Sequence, residues 1–325
     1  MLVHDAGLAV AADRRRDVIM HRAFLSLILA HAIFSPALAA VDSSARVRDC
    51  RDERVRADPR SGYDSLVFPD ADVFTPPIAD QKEPRLSLGY DGVRFFDQAL
   101  PSGGAQDTIH TGVVSAGGIL GVWALRHVEQ CRGIQVSLMG GVFSQFNLDA
   151  PSRDLINSDF VVGGQATVRQ DRLSARVRVY HQSSHLGDEF VLRHPSIVRE
   201  DFGFQALDAL VSLDAAWWRV YAGGGYRFYR HRTIEPWVVQ GGLELRGRES
   251  DRTRVIPVVG VDITTLQARD WGATTSIAAG LEWTSAASTR RMRAVMVFLN
   301  GFTPFGQFSN QQEQRSLGLQ FQIEF

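Results

Sequence analysis

The chain has 325 residues, enough for one barrel plus a short extension or for two ordinary domains. Its formal net charge of −1 argues against nucleic acid or any strongly charged partner. Hydrophobic residues make up 45% of it, yet mean hydropathy is only −0.09. That excludes a bundle of membrane helices and leaves, for a membrane protein, a barrel in which apolar and polar residues alternate.

The first element in chain order is a leader over residues 1–39. Ala23 to Phe34 forms an apolar run preceded by His21 and Arg22, and the small-x-small site Ala37-Leu38-Ala39 follows Ser35-Pro36. The run is too short to span a bilayer, which needs about 20 apolar residues. Cleavage is expected after Ala39, with Met20 as the expected initiator.

Residues 40–84 are too polar and proline-rich for a core, and Phe68 to Pro84 read as extended or looped chain. This stretch is expected either to hang below a barrel on the periplasmic side or to enter its mouth as a plug. Asp70 and Asp72 read as a solvated acidic turn rather than a cation site.

From residue 85 to the end, the chain divides into segments of the length a tilted membrane strand needs. About twelve are expected, near 85–95, 112–124, 132–143, 159–169, 172–182, 204–213, 217–229, 236–247, 254–264, 272–283, 290–301 and 315–325. In 172–182, Leu173, Ala175, Val177 and Val179 share one face, and Arg176, Arg178 and Tyr180 the other. In 217–229, Arg219, Tyr221 and Arg227 oppose Trp218, Val220 and Tyr226. Lone charges facing lipid are costly, so the arginine rows are expected to line the interior. The strand 290–301 alternates poorly, and its faces stay unassigned. Short and long links alternate along most of the chain, as periplasmic turns and external loops do. The fold expected is therefore an all-β, antiparallel, up-and-down transmembrane barrel over residues 85–325.

The two cysteines, Cys50 and Cys131, fall on the periplasmic side of this topology, where disulfides persist, so they are candidates to pair. The densest polar cluster is Tyr180 to Phe190, at the external end of the fifth segment. Alternation puts His181 and Ser183 on one outward face. His185, Asp188 and Glu189 read as a polar loop network around them. No single face gathers four ligands, so no metal is assigned.

Two resemblances rest on these residues. The segment from Phe68-Pro69 through Ile78-Ala79-Asp80 and Pro84, with His181-Gln-Ser-Ser-His-Leu-Gly-Asp-Glu189, resembles domain-of-unknown-function family 1207. That resemblance implies an exported outer-membrane barrel and supplies no reaction. More locally, His181-x-Ser183 is similar to the His-x-Ser arrangement of outer-membrane phospholipase A and lipid A deacylases. It implies Ser183 as nucleophile and His181 as base, with calcium as a cofactor under this reading alone. Ser184 stands where those enzymes often carry Asn, and no third group is evident. Three functions remain open: a structural barrel or narrow pore, an acyl hydrolase, or a plugged passive transporter. The expected partners are outer-membrane lipids and the barrel assembly machinery, with oligomeric state unassigned.

The last nine residues, Leu317 to Phe325, place apolar side chains at every odd position. A terminal aromatic on such a strand resembles the signature read by the assembly machinery, so Phe325→Asp is expected to reduce membrane insertion and raise degradation. Normal membrane levels with unaltered heat-modifiable gel migration of that variant would count against the signature.

Overall fold

The computed structural model describes residues 62–96, 108–127, 131–230, 235–247, 255–285, 288–310 and 312–324. The leader, Cys50 and Phe325 lie outside them. Twelve antiparallel strands form a closed barrel: β2 (Leu86–Phe95), β3 (Thr108–His127), β4 (Arg132–Asn147), β5 (Leu155–Gln170), β6 (Leu173–Leu186), β7 (Phe202–Asp214), β8 (Trp218–Phe228), β9 (Trp237–Arg246), β10 (Val255–Leu266), β11 (Ala273–Ser285), β12 (Ser288–Phe302) and β13 (Glu313–Glu324). Each pairs with its sequence neighbours, and β13 pairs with β2 to close the ring. A further strand in the extension, β1 (Tyr63–Val67), pairs with the last turn of β3, from Trp123 to His127.

All twelve expected segments are strands, with β3, β4, β5 and β6 running further toward the loop end than their alternation suggested. Those ends carry polar side chains on both faces, such as Thr111, Ser144, Asn157, Ser158 and Ser184, so the apolar-polar period of two fades there. One rim carries the chain ends and the tight links; the other carries the loops. The two are called below the turn rim and the loop rim.

Burial is inverted relative to a water-soluble domain. On β13, Leu317, Leu319 and Phe321 are exposed, whereas Gln314, Ser316, Gln320 and Gln322 are buried. On β6, Val177 and Val179 point out, and Ser174, Arg176 and Arg178 point in. Exposed aromatics gather near the two rims: Trp123 and Trp217 at the turn end, Tyr226, Trp237 and Trp271 at the loop end. Aromatic girdles flanking an apolar band mark the two interfaces of a membrane barrel.

The two faces of β12 now separate. Met292 and Met296 face out, and Arg293, Val295, Val297 and Leu299 face in. Val295 and Val297 pack with Ile256, Val258 and Ala278 against Ile78 and Ala79 of the extension. An apolar inner face defeats a simple alternation rule, which is why the sequence left this strand unassigned.

Cys131 is disulfide-bonded, and no described cysteine is a free thiol. Since the chain has two cysteines, protein made in an oxidising compartment is expected to resist alkylation until reduced. Alkylation of both Cys50 and Cys131 without reductant, in freshly extracted protein, would rule the pairing out.

Candidate functional site

A barrel of about eight strands has an interior that its own side chains can fill, and wider ones need further material or stay open. Here residues 68–85 supply it. After β1 the chain turns at Phe68, whose φ is 52°, and runs through the lumen. Asp72 accepts hydrogen bonds from Gln165 (2.6 Å), Thr167 (2.6 Å) and Ser137 (3.3 Å) on the inner wall. It is thus an anchor inside the barrel rather than a solvated turn. Arg169 donates to the Val73 carbonyl (2.6 Å), and the Ile78 amide donates to Glu244 (2.6 Å).

Further along, Glu83 lies between Arg176 (2.7 Å) and Arg178 (3.4 Å), with Glu83 and Arg176 fully buried. Arg178 has a second carboxylate, Asp208, at 2.9 Å. Phe74 sits under two guanidinium groups, those of Arg176 and Arg219, each 4.9 Å from its ring centre. Lys82 reaches Asp159 (2.5 Å) and lies 4.3 Å over the Phe143 ring. Arg85 donates to the Ile78 carbonyl (3.0 Å) and Gln322 (2.9 Å), tying the end of the segment to β13.

Around the turn rim the inner wall carries its own belt of ion pairs. Arg169 meets Asp214 (2.6 Å), and Arg219 meets both Asp214 (3.1 Å) and Glu244 (3.3 Å). The belt continues through Arg246 and Glu282 (3.1 Å) to Arg293, which meets Glu282 and Glu324 at 2.6 Å each. On β8 and β9 a close approach makes this packing possible. A Cβ on Gly242 would lie 2.3 Å from the Tyr221 hydroxyl, which crosses that space to donate to Asp262 (2.7 Å).

The loop side is closed as well. The link between β12 and β13 folds inward, burying Phe305 against Val113, Met139, Phe143 and Val161, and Phe308 against Phe190 and Val93. Phe190 belongs to the one short helix between β6 and β7, α1 (Asp188–Arg193). The link between β4 and β5 is pinned where Asp149 accepts from the His110 amide (2.7 Å), with the imidazole 3.0 Å away. Those hydrogen bonds hold the exposed Asp149 carboxyl below its ordinary range.

The residues singled out at 181–189 separate into two places. His181 and Ser183 both project from the outer face of β6, opposite Val162 and Phe160 of β5. No hydrogen bond joins them among the described residues. His185 also faces out and packs edge-on against Phe160, with ring centres 5.8 Å apart. Asp188 and Glu189 instead begin α1, where Asp188 pairs with Arg199 rather than with a histidine. Gly187 turns the chain at a φ of −67°, so positive φ is not what it provides. A Cβ there would lie 1.9 Å from the Leu155 carbonyl oxygen, and glycine is required by that approach. Among the described residues no three His, Cys, Asp or Glu side chains are grouped to hold a metal.

An apolar exterior between aromatic girdles, around a charged and plugged interior, defines a β-barrel of the bacterial outer-membrane type. Residues 45–325 match the family described as protein of unknown function DUF1207, and the chain belongs to that family. No curated protein matches it in sequence. Among solved structures it is similar to the Salmonella typhi outer membrane phospholipase dimer with bound calcium, at 10% identity and a TM-score of 0.45, over 74% of this chain and 92% of that one. It is also similar to the translocator domain of autotransporter NalP from Neisseria meningitidis, at 12% identity and a TM-score of 0.38, over 74% and 87%. The KdgM porin matches at 7% identity and a TM-score of 0.36, over 72% and 98%. These similarities concern the barrel alone.

The plug-to-wall contacts are what sequence reasoning left open. Glu83 falls there within a stretch read only as extended or looped chain. The available signal was Phe74 and Ile78, two apolar residues in a polar stretch, followed by an acid that matches an arginine-lined wall.

Proposed function

We propose that this protein is a passive outer-membrane transporter held shut at rest by its own residues 68–85. One observation carries the reading: beyond the Phe68 amide, which donates to the Val122 carbonyl (3.1 Å), the segment filling the lumen takes no part in the barrel's hydrogen-bond ladder. The ring is complete through β13–β2 and β3–β4, so the plug can leave without unzipping a strand. Its attachments are ion pairs, side-chain hydrogen bonds, ring contacts and the packing of Ile78 and Ala79, and water can replace the polar ones one by one as it enters. Under this reading the turn rim faces the periplasm and the loop rim the exterior.

Conductance tests it. Wild-type protein in a planar bilayer is expected to be nearly silent, and Glu83→Gln and Lys82→Met are expected to raise the open fraction severalfold. Removing one partner of a buried pair costs about 3–5 kcal/mol, so both variants should also lose their heat-modifiable fold at lower temperature. Folded variants that stay as silent as the wild type would leave a structural barrel instead.

A second reading draws on His181 and Ser183, which share an outward face toward the loop rim, where acyl chains of the outer leaflet would reach them. If they form a hydrolase, purified protein should cleave phospholipid or lipid A, and Ser183→Ala should abolish this with the barrel still folded. No hydrolysis by the wild type, with and without calcium, would sink the enzyme and leave the pair as part of the wall.

A further inference from the structure

The loop half of the lumen holds a cavity of about 150 Å³ that closure of the barrel does not use. It lies above plug residues 80–82. Arg227, at the loop end of β8, and Arg269, in the single 3-10 turn after β10, both line it. Two other cations line the cavity, and each has a carboxylate: Arg178 pairs with Asp208 (2.9 Å) and Lys82 with Asp159 (2.5 Å). Elsewhere in the lumen Arg169, Arg176, Arg219 and Arg293 each face one as well. Arg227 and Arg269 face none among the described residues.

Arg227 lies 4.5 Å over the Phe204 ring, and its Nη1 is buried without a hydrogen-bond partner. Arg269 donates only to neutral groups, the Thr274 hydroxyl (2.8 Å) and the Thr303 carbonyl (3.4 Å), and its Nε is buried and unpartnered. Burial, and after it the charge of Arg227, push the Arg269 guanidinium down to about 9. It remains a cation at neutral pH. Ring faces lie against both guanidinium groups, Phe204 on Arg227 and Phe302 on Arg269 (4.9 Å). Two like charges on one buried wall still cost stability, and no carboxylate among the described residues pairs with either.

The opposite side of the cavity sets a limit on what can enter. Asp80 of the plug and Asp262 of β10 share the Gln240 amide, at 3.2 and 2.9 Å, and neither is in an ion pair among the described residues. A multiply charged anion placed between them and the arginines meets repulsion from below. Phe204, Leu266 and Leu299 supply apolar wall, and a cavity of this volume holds a benzene-sized body. We propose that the cavity is a binding site for a small organic monocarboxylate, with its carboxylate forked by Arg227 and Arg269 and its apolar body against Phe204. A guanidinium fork matches a carboxylate in two parallel hydrogen bonds, which supplies the counter-charge both arginines lack. The site does not rest on the plug moving.

Benzoate is a suitable probe, used on the full chain in detergent with heat-modifiable migration as the check on folding. Equilibrium dialysis is expected to show saturable binding, with R227Q and R269Q each weakening it at least tenfold. Benzyl alcohol, of the same shape without the charge, is expected not to compete, and phosphate at equal concentration not to displace. Because neutralising either arginine removes repulsion, both variants should tolerate heat at least as well as the wild type. Benzoate should raise the unfolding temperature of the wild type alone. Absence of saturable binding to the wild type would overturn the proposal. So would undiminished binding to R227Q and R269Q, or equal competition by benzyl alcohol or phosphate.

Discussion

Arg176 and Arg178 stand two residues apart on the inner face of β6, and the plug's Glu83 is the carboxylate that lies between them. Most of the lumen's organisation follows from the need to compensate charges of this kind. A strand facing lipid on one side must put its polar residues inside, and inside there is too little water to solvate them. Arg178 has Asp208 in addition, but among the described residues Arg176 has only Glu83 as a carboxylate, and two of its nitrogens are already buried without partners. The extension is therefore an electrostatic component of the barrel wall and not a tail that happens to lie in it. Its apolar residues follow the same logic. Phe74 offers a ring face to two arginines, and Ile78 and Ala79 cover an apolar stretch of inner wall.

Lipid imposes a strict requirement on one face, and that face was legible in the sequence. Leu317, Leu319 and Phe321, or Val177 and Val179, can be assigned from spacing alone, and the arginine rows follow by exclusion. The inner face has no such uniform solvent. Val295 and Val297 face inward because Ile78 and Ala79 meet them there, and no local pattern in β12 reveals a partner more than two hundred residues away. The plug's path was illegible for a related reason, since a segment with neither period has its shape set by the wall around it. The polar cluster divides along the same line. His181 and Ser183 lie where alternation still holds, and their outward placement could be read. Asp188 and Glu189 lie past Gly187, where the chain leaves the wall, and the pairing of Asp188 with Arg199 depends on how a loop folds back.

The only lysine of the chain shows how tightly the two closures are joined. One oxygen of Asp159 accepts from Lys82 of the plug at 2.5 Å and from the Gly306 amide of the last loop at 3.0 Å. The same ammonium lies between the Phe143 ring on the wall, at 4.3 Å, and the Phe305 ring of that loop, at 5.5 Å. A compact point charge fits a slot between two rings and a buried carboxylate, where a planar guanidinium would need more width. If the plug withdraws Lys82, Asp159 keeps its burial but loses its cation, and the Gly306 amide alone cannot compensate the buried carboxylate. Water is then drawn to that carboxylate from whichever rim is nearer, which loosens the loop's hold on Phe305. Under the transporter reading proposed above, opening at the turn rim would lower the cost of opening at the loop rim, and the coupling would run through this one carboxylate rather than through any deformation of the ring of strands.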